Sequence, residues 1–282
     1  MGNADLHMHT TASDGKYSPA EVVDLASKNN LRTISITDHD TIGGINEAKI
    51  RADEHNIDLI NGAEFTVTFN KREIHVLAYG FDTASAYITG LVAMHTQARL
   101  KRANQIVGKL QDKGFDLNID EVKAETTSGG ICNIGRPHIA RVMVQKGIIA
   151  SHKEAFIRYL NDDALKQEGI KTGYKEAAKA FEKIKMAGGV VVLAHPSRFY
   201  TEDEIEQLID LGLDGIEYLH PSHQYDQQCH FEELCNYHNL LKTGGSDFHG
   251  FGSDLQNLGI IAVSDRTVEK LKAMIENRKL MK

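Results

Sequence analysis

Near its start the chain reads ADLHMHTTASDG (residues 4–15), a short apolar run that ends in polar residues of metal-ligating types. Residues two apart on a strand share one face, so His7 and His9 can both reach one cation. Asp14 follows in a polar turn just beyond the predicted strand end. Because a lone His-x-His pair often arises by chance, its weight depends on whether the rest of the chain repeats the pattern.

The pattern does recur, as apolar runs rich in Val, Ile or Leu that end in polar residues, which is typical of buried strands. The predicted strands cover residues 4–9, 32–38, 57–64, 73–81, 190–195, 215–219 and 241–249. A helix is predicted after the first strand, with Ser18 as its N-cap, Pro19 at its first position and Glu21 completing a capping box. This order favours a parallel α/β barrel, in which catalytic residues come from the C-terminal ends of several strands. An open doubly wound sheet is the alternative.

The middle of the chain differs from both ends. Residues 84–186 carry no convincing strand, and helical patterns cover 86–114, 119–124, 136–146, 153–160 and 174–187. Barrel connections usually have about 2 to 6 residues, so this segment is too long to be a loop. We therefore predict a barrel domain from residues 1–83 and 187–282, and a helical insertion over 84–186 that caps the site.

The composition of the 282 residues, with 41% hydrophobic and 25% charged, is ordinary for a soluble globular protein. No run approaches the roughly 18 apolar residues of a membrane span and no signal-like segment is visible, so a cytoplasmic location is expected. Cys132, Cys229 and Cys235 form no CxxC pair and are interpreted as packing residues in a reducing compartment.

The net charge of −7 argues against binding of long double-stranded nucleic acid. A small phosphorylated substrate or a short oligonucleotide end stays compatible with this charge, because bound divalent metals make a pocket locally positive.

Six of the 14 histidines lie at or beside predicted strand ends: His7, His9, His39, His75, His195 and His249. Asp14, Glu64 and Asp247 occupy corresponding positions. A satisfied core histidine explains one such residue, but it is a poor explanation for six. Imidazole and carboxylate without thiolate suit Zn, Mn or Fe. Because these ligands exceed what one metal can use, we predict a centre of two or three divalent metal ions.

Three of these residues keep a second interpretation. Glu64 is the candidate bridging carboxylate, but it could also be a surface residue that begins a hairpin over 65–74. His75, with apolar neighbours, would be taken for a core histidine without the other ligands. For His195 the ligand interpretation is favoured, because Pro196 ends the strand where an active-site loop should begin.

The motifs are DLHMHT with SDG (residues 5–10 and 13–15), ITDHDT (36–41), GAE (62–64), IH (74–75), AHP (194–196) and GSDFH (245–249). In this order, and over nearly the whole chain, they resemble the PHP (polymerase and histidinol phosphatase) superfamily. The match is closest to its nucleoside 3',5'-bisphosphate phosphatase and 5'-3' exoribonuclease branch. The resemblance implies a distorted (β/α)7 TIM-like barrel with an inserted helical subdomain and a trinuclear metal centre.

The resemblance also implies a ligand set for each metal, and no ligand of the family pattern is missing. One metal is held by His7, His9, Glu64 and Asp247; a second by the bridging Glu64 with His75 and His195; and a third by Asp14, His39 and His249.

Four residues of the predicted insertion are candidates for substrate binding. Arg99 and Arg102 lie on a predicted helix, where a solvated helix face is the alternative. Arg136 and His138 open another helix, whose free backbone N–H groups would favour an anion. In the resembled branch, arginines at positions matching Arg99 and Arg136 contact substrate phosphate. A second phosphate grip would select nucleoside 3',5'-bisphosphates or RNA 5' ends, since the guanidinium fork binds phosphate oxygens bidentately.

The predicted reaction is hydrolysis of nucleotide phosphomonoesters by a metal-bound hydroxide, with Asp14, Glu64 and His195 as catalytic residues. His195 could assist departure of the alkoxide. Histidinol-phosphate phosphatase is one alternative and needs only one phosphate grip. An amidohydrolase typically adds a carboxylated lysine at a strand end, and the motifs contain no such lysine. A metal-stabilised regulatory domain is the non-enzymatic alternative. His95 is interpreted as a packing residue, and His220 and His223 as lining either a base pocket or a surface loop.

Overall fold

A computed structural model of the chain describes residues 3–126, 133–170, 173–197, 200–252 and 254–280. The strands are β1 (Ala4–Met8), β2 (Thr33–Ile36), β3 (Asp58–Leu59), β4 (Gly62–Phe69), β5 (Arg72–Tyr79), β6 (Val190–Leu193), β7 (Gly215–Leu219) and β8 (Leu241–Gly244). The helices are α1 (Pro19–Lys28), α2 (Ile45–His55), α3 (Ala86–Asp112), α4 (Ile119–Ala124), α5 (Arg136–Gln145), α6 (His152–Ala155), α7 (Asp162–Gln167), α8 (Ala177–Met186), α9 (Glu202–Asp210), α10 (Tyr225–Tyr237), α11 (Asp254–Asn257) and α12 (Asp265–Leu280). A π-helical turn, Phe156–Leu160, continues α6.

The strands form two sheets. One has the order β1-β2-β3 and is parallel throughout, and the other has the order β4-β5-β6-β7-β8. In the second sheet β5 runs antiparallel to both neighbours, whereas β6, β7 and β8 are parallel. The predicted strand over 57–64 is divided between β3 and the start of β4, and the other predicted strands match observed ones with shifts at their ends.

The antiparallel β5 corrects the prediction of a wholly parallel barrel. Asn70 and Lys71 join β4 to β5 and both have positive φ angles, 48° and 64°. Phe69 and Arg72 pair on either side of them. Positive φ at both central residues is the geometry of a type I′ hairpin turn. Such a turn returns the chain at once, so no crossover helix is available to make β5 parallel.

The described strands do not close into one sheet, so the closed barrel is not confirmed and the fold is mixed α/β. The two sheets meet through two isolated bridges, between His39 and Glu64 and between Met8 and Phe248. Regular pairing ends at the site residues, because the backbone leaves strand geometry there. Asp40 and Asp247 have φ angles of 53° and 51°.

The middle helices enclose a core of their own. It contains Leu110 of α3, Val122 of α4, Met143 of α5, Leu160 of the π-helical turn and Leu165 of α7. In contrast, α8 packs on α3 and on strands β4 and β6. Ile88 and Leu91 of α3 belong to the core formed with β4 and β5, so the helical segment packs on the sheets at both of its ends.

Helix α1 begins as predicted. Glu21 N–H donates to Ser18 Oγ (3.2 Å), and Ser18 N–H donates to Glu21 Oε2 (2.8 Å), which is the reciprocal capping box. None of the described helices combines the length and the apolar character needed to cross a membrane. Cys229 and Cys235 of α10 are free thiols, and Cys132 lies outside the described residues.

Candidate metal centre

The nine predicted ligands converge at one end of the strands. His7 lies on β1 and His9 just beyond it, Asp14 in the following turn, His39 after β2, Glu64 on β4, His75 on β5, His195 after β6, and Asp247 and His249 after β8. Each approaches at least one other member of the set within 4 Å.

The tightest group is formed by His7, His9, Glu64 and Asp247. The two Nε2 atoms of the histidines lie 3.1 Å apart. Each lies 3.2 Å from Glu64 Oε2, and they lie 3.3 and 3.1 Å from Asp247 Oδ1. Ligands of a tetrahedral ion with bonds of about 2.0–2.2 Å are about 3.4 Å apart. The four atoms therefore surround a point at distances that suit one small divalent cation.

Glu64 lies between this group and the next. Its Oε1 faces His75 Nδ1 (2.8 Å) and His195 Nε2 (2.9 Å), while Oε2 also faces His39 Nδ1 (3.1 Å). The side chain is 1% exposed, so the interpretation of Glu64 as a surface residue is wrong. Two oxygens of one carboxylate directed at different histidines give the geometry that a bridging ligand requires.

The third group is looser. Asp14 lies 3.9 Å from His39 Nε2 and 3.5 Å from His249 Nε2. Ligand atoms of His9, Asp14, His39 and His249 all lie within 4.8 Å of one another. His39 thus faces two groups, with Nε2 towards Asp14 and Nδ1 towards Glu64.

Several buried ligand atoms have no hydrogen bond with any described residue. They are His9 Nδ1, Asp14 Oδ1, His39 Nδ1 and His75 Nδ1, of which the last three lie within 3.5 Å of an ionisable group without a hydrogen bond of suitable geometry. A buried polar atom without a hydrogen bond is costly, so such atoms need an ion or a water molecule. Their concentration at one place, with nitrogen and oxygen donors and no sulfur, fits a centre for divalent metals.

The electrostatics of the centre agree with this fit. Burial by itself would raise the pKa of Glu64, but His39 and His75 hold that pKa well below its usual range. Burial by itself would lower the pKa of His249, yet the adjacent Asp14 raises it to about 10. Both shifts arise because carboxylates and imidazoles lie close together in a buried site, where each stabilises the charged form of the other.

Glu217 on β7 is a residue that the sequence analysis missed. His7 Nδ1 donates to its Oε1 (2.9 Å), and the backbone N–H of His195 donates to its Oε2 (2.8 Å). Glu217 is completely buried. It therefore fixes the His7 tautomer that directs Nε2 at the metal group. The available signal was a lone carboxylate in an apolar predicted strand, which cannot be buried without a partner.

We expect Glu217→Ala to weaken metal binding. Loss of a carboxylate that orients a metal-bound histidine typically costs about 10- to 100-fold in affinity. Titration with Zn²⁺ against a chromophoric chelator measures this affinity directly. Glu233→Ala on the exposed side of α10 is the matched control, and equal affinities for the two variants would contradict the role of Glu217.

A cavity of about 110 Å³ joins the candidate metal ligands to the middle helices. Asp14, His39 and His75 line it at one end. The guanidinium-bearing residues Arg99, Arg102 and Arg136 line the opposite part, together with Tyr174. A phosphorylated molecule in this cavity would contact both the metal ligands and the arginines.

Arg99 and Arg102 are only 9% and 8% exposed, so the alternative of a solvated helix face is wrong. Arg99 Nε donates to Asp40 Oδ2 (2.5 Å), and Arg99 Nη2 donates to Thr66 Oγ1 (3.3 Å). Arg102 Nη1 donates to Glu73 Oε2 (2.9 Å). Each arginine is thus held in place by a carboxylate of the sheet region.

Asp40 anchors α3 to the site, and the sequence analysis assigned it no role. Its Oδ1 accepts from His95 Nδ1 (2.5 Å) and from the backbone N–H of Thr66 (2.7 Å), in addition to the Arg99 contact at Oδ2. Burial by itself would raise the pKa of Asp40, but Arg99 and His95 hold it far below its usual range. His95 is therefore a hydrogen-bonding residue as well as a packing residue.

The structure does not bring His138 to the arginine cavity. Its Nδ1 accepts from the backbone N–H of Gly135 (3.0 Å), so the ring caps its own helix, α5, and is 1% exposed. His220 and His223 are also buried, and His220 Nε2 lies 3.3 Å from Asp247 Oδ2. Their interpretation as part of a surface loop is therefore wrong.

Comparison with known proteins agrees with this geometry. The model of the PHP domain family matches residues 5–192. The chain is 35% identical to a 5'-3' exoribonuclease of Haemophilus influenzae, over 87% of this chain and 89% of that protein. It is 31% identical to a 3',5'-nucleoside bisphosphate phosphatase of Chromobacterium violaceum, over 92% of this chain and 91% of that one.

A solved structure from Bifidobacterium adolescentis, described as a metal-dependent phosphoesterase, superposes with a TM-score of 0.87. It is 32% identical in sequence, and the match covers 96% of each chain. The extent of these matches, together with the converging ligands, identifies the chain as a member of the PHP domain family and a metal-dependent phosphoesterase.

Proposed function

We propose that the protein hydrolyses phosphomonoesters of nucleotides, with nucleoside 3',5'-bisphosphates or the 5' ends of short RNA as its substrate class. One observation carries this proposal: a single cavity connects metal ligands to Arg99, Arg102 and Arg136. A substrate with two phosphate groups would place one at the metals and the other at the arginines. The names of the bisphosphate phosphatase and exoribonuclease relatives support the same class.

The nine converging residues would hold two or three divalent ions, with Mn, Zn and Fe as the candidates that suit imidazole and carboxylate ligands. When bound, such ions lower the pKa of water and neutralise negative charge on the phosphate. Glu64 would bridge two ions, and the ligand groups would be those that the family resemblance implies.

The chain's own residues position the substrate around these ions. Asp14 lines the cavity as one of the candidate ligands, so an ion that it would hold would contact the substrate phosphate. His195 lines the larger neighbouring cavity, and it would donate a proton to the departing alkoxide only in a centre where its ring holds no ion. Because Asp40 occupies Nε of Arg99 and Thr66 accepts from Nη2, Nη1 of that guanidinium remains for a phosphate oxygen.

The proposal assigns different tasks to the two parts of the chain. Residues 84–186 would form a cap that supplies the arginines, and residues 1–83 and 187–282 would form a distorted (β/α)7 barrel that supplies the metal ligands. The two isolated bridges between the sheets support such an arrangement.

The substrate class can be tested by comparing kcat/KM, in the presence of Mn²⁺, for four compounds: adenosine 3',5'-bisphosphate, AMP, histidinol phosphate and a 5'-phosphorylated oligoribonucleotide. We expect the bisphosphate or the oligoribonucleotide to be preferred. Arg136→Ala should reduce that preference about 10- to 100-fold, the usual value of a charge-assisted hydrogen bond. Arg158→Ala, an exposed arginine of the same helical segment, should leave it unchanged.

The alternatives give different results in the same experiment. If histidinol phosphate is the best substrate and Arg136→Ala retains full kcat/KM, the protein is a histidinol-phosphate phosphatase. An amidohydrolase is less favoured because the sequence motifs that carry the candidate ligands contain no lysine that could be carboxylated.

A further inference from the structure

A carboxylate oxygen already lies between the two arginines Arg136 and Arg102. Arg136 Nη1 is 2.7 Å from Asp162 Oδ1, and Arg102 Nη2 is 3.5 Å from the same oxygen. Arg102 also pairs through Nη1 with Glu73 (2.9 Å). An oxygen shared by two guanidinium groups occupies the kind of position that a phosphate oxygen would take.

The two carboxylates differ in how easily they can leave. Glu73 lies on β5 and its side chain is 8% exposed, so separating it from Arg102 would leave a buried charge. Asp162 begins α7 and its side chain is 54% exposed, so it can rotate into water at little cost. Of the two, only Asp162 is therefore suited to exchange with a ligand.

Asp162 is also placed where a substrate would meet it. A larger cavity of about 590 Å³ adjoins the arginine cavity and is lined by Asp162 together with His75 and His195. Arg102 and Arg136 line both cavities. The ion pair thus stands at the junction between the open cavity and the arginine cavity.

We propose that Asp162 determines specificity by acting as a displaceable counter-anion: it neutralises Arg136 and Arg102 in the free protein, and a terminal phosphate group of the substrate replaces it. This inference rests on the proposed function, because it concerns the second phosphate of the same substrate class. A terminal phosphate carries about −1.5 to −2 charges and three strong acceptor oxygens, whereas a carboxylate carries one charge. Replacement of the Asp162 carboxylate by a terminal phosphate group therefore strengthens the electrostatic attraction to the two arginines. Replacement by a singly charged phosphodiester or by another carboxylate strengthens it little.

The test compares Asp162→Asn with Asp163→Asn in the Mn²⁺-loaded protein. Asp163 is the next residue of α7, lines the same larger cavity, is exposed, and has no ion pair within the described part of the chain. Both substitutions remove one negative charge at nearly the same place. They therefore separate the specific ion pair from a general change in local charge.

We expect Asp162→Asn to lower KM for adenosine 3',5'-bisphosphate about 2- to 5-fold, the range that a partly exposed ion pair provides. KM for 5'-AMP, which lacks the second phosphate, should not change, and Asp163→Asn should leave both values unchanged. An unchanged or raised KM for the bisphosphate in Asp162→Asn would overturn the proposal. Equal decreases in the two variants would overturn it as well.

A binding measurement separates this inference from the proposed function. Equilibrium dialysis would use the Mn²⁺-loaded protein and a non-hydrolysable bisphosphonate analogue of adenosine 3',5'-bisphosphate. If Asp162→Asn binds the analogue more tightly than the wild type but neither protein hydrolyses nucleotides, the counter-anion role stands and the proposed function fails. If hydrolysis occurs but the analogue binds equally to both, the proposed function stands and the counter-anion role fails.

Discussion

Glu64→Gln is expected to lower kcat more than about 100-fold. Mutation of a residue that only orients a metal ligand already lowers metal affinity or activity about 10- to 100-fold, and Glu64 is itself a candidate ligand. Both oxygens of Glu64 face histidines of the centre, and the side chain is buried. The amide removes the negative charge and replaces one acceptor with a donor, so it cannot bridge two cations. Turnover with Mn²⁺ and metal content by mass spectrometry should be measured on the same sample.

A matched control exists for this substitution. Glu276→Gln removes the same charge from a side chain that is 66% exposed on α12, far from the ligands in sequence. It should retain both metal and turnover. Wild-type turnover in a Glu64→Gln protein that has lost metal would contradict the bridging role.

Asp40→Asn is expected to lower the free energy of unfolding by about 3–5 kcal/mol, the cost of breaking a buried ion pair by removing one partner. Asp40 is 0% exposed and accepts hydrogen bonds from Arg99, His95 and Thr66. Asparagine tolerates the positive φ of this position, so the substitution isolates the loss of charge. Urea unfolding in the presence of a chelator measures the change without a contribution from metal binding.

The control for stability is Asp53→Asn. Asp53 is 61% exposed and pairs with Lys49 one helical turn earlier, so its removal should cost no more than about 0.5 kcal/mol. If Asp40→Asn costs no more than this control, the buried network does not stabilise the junction between α3 and the site.

The convergence of the candidate ligands was predictable because their signal is local. Each follows or ends a short apolar run, so strand periodicity places His7 and His9 on one face without knowledge of any partner. The hairpin over 65–74 was considered only as part of the alternative interpretation of Glu64 as a surface residue. Its consequence, an antiparallel β5, depends on the positive φ angles of Asn70 and Lys71. The usual sequence signal of such a turn is an Asn-Gly or Asp-Gly pair, and this turn contains neither.

The residues around the ligands could not be predicted in the same way, because their partners are distant in the sequence. Asp40 and Arg99 are 59 residues apart, and His7 and Glu217 are 210 residues apart. A charged helix face is usually solvated, and only the carboxylates supplied by other elements reveal that Arg99 is buried. The ring of His138 accepts a hydrogen bond from the backbone N–H at the start of its own helix, and helix periodicity could not distinguish this local role from a ligand-binding one.

The most direct test of metal-dependent hydrolysis at this centre is a titration of metal-stripped protein with Mn²⁺, with phosphate release from adenosine 3',5'-bisphosphate as the readout. The stripped protein should release no phosphate above the uncatalysed rate, and activity should saturate at two or three Mn²⁺ per chain. Undiminished hydrolysis by protein whose metal content is verified to be negligible would contradict it.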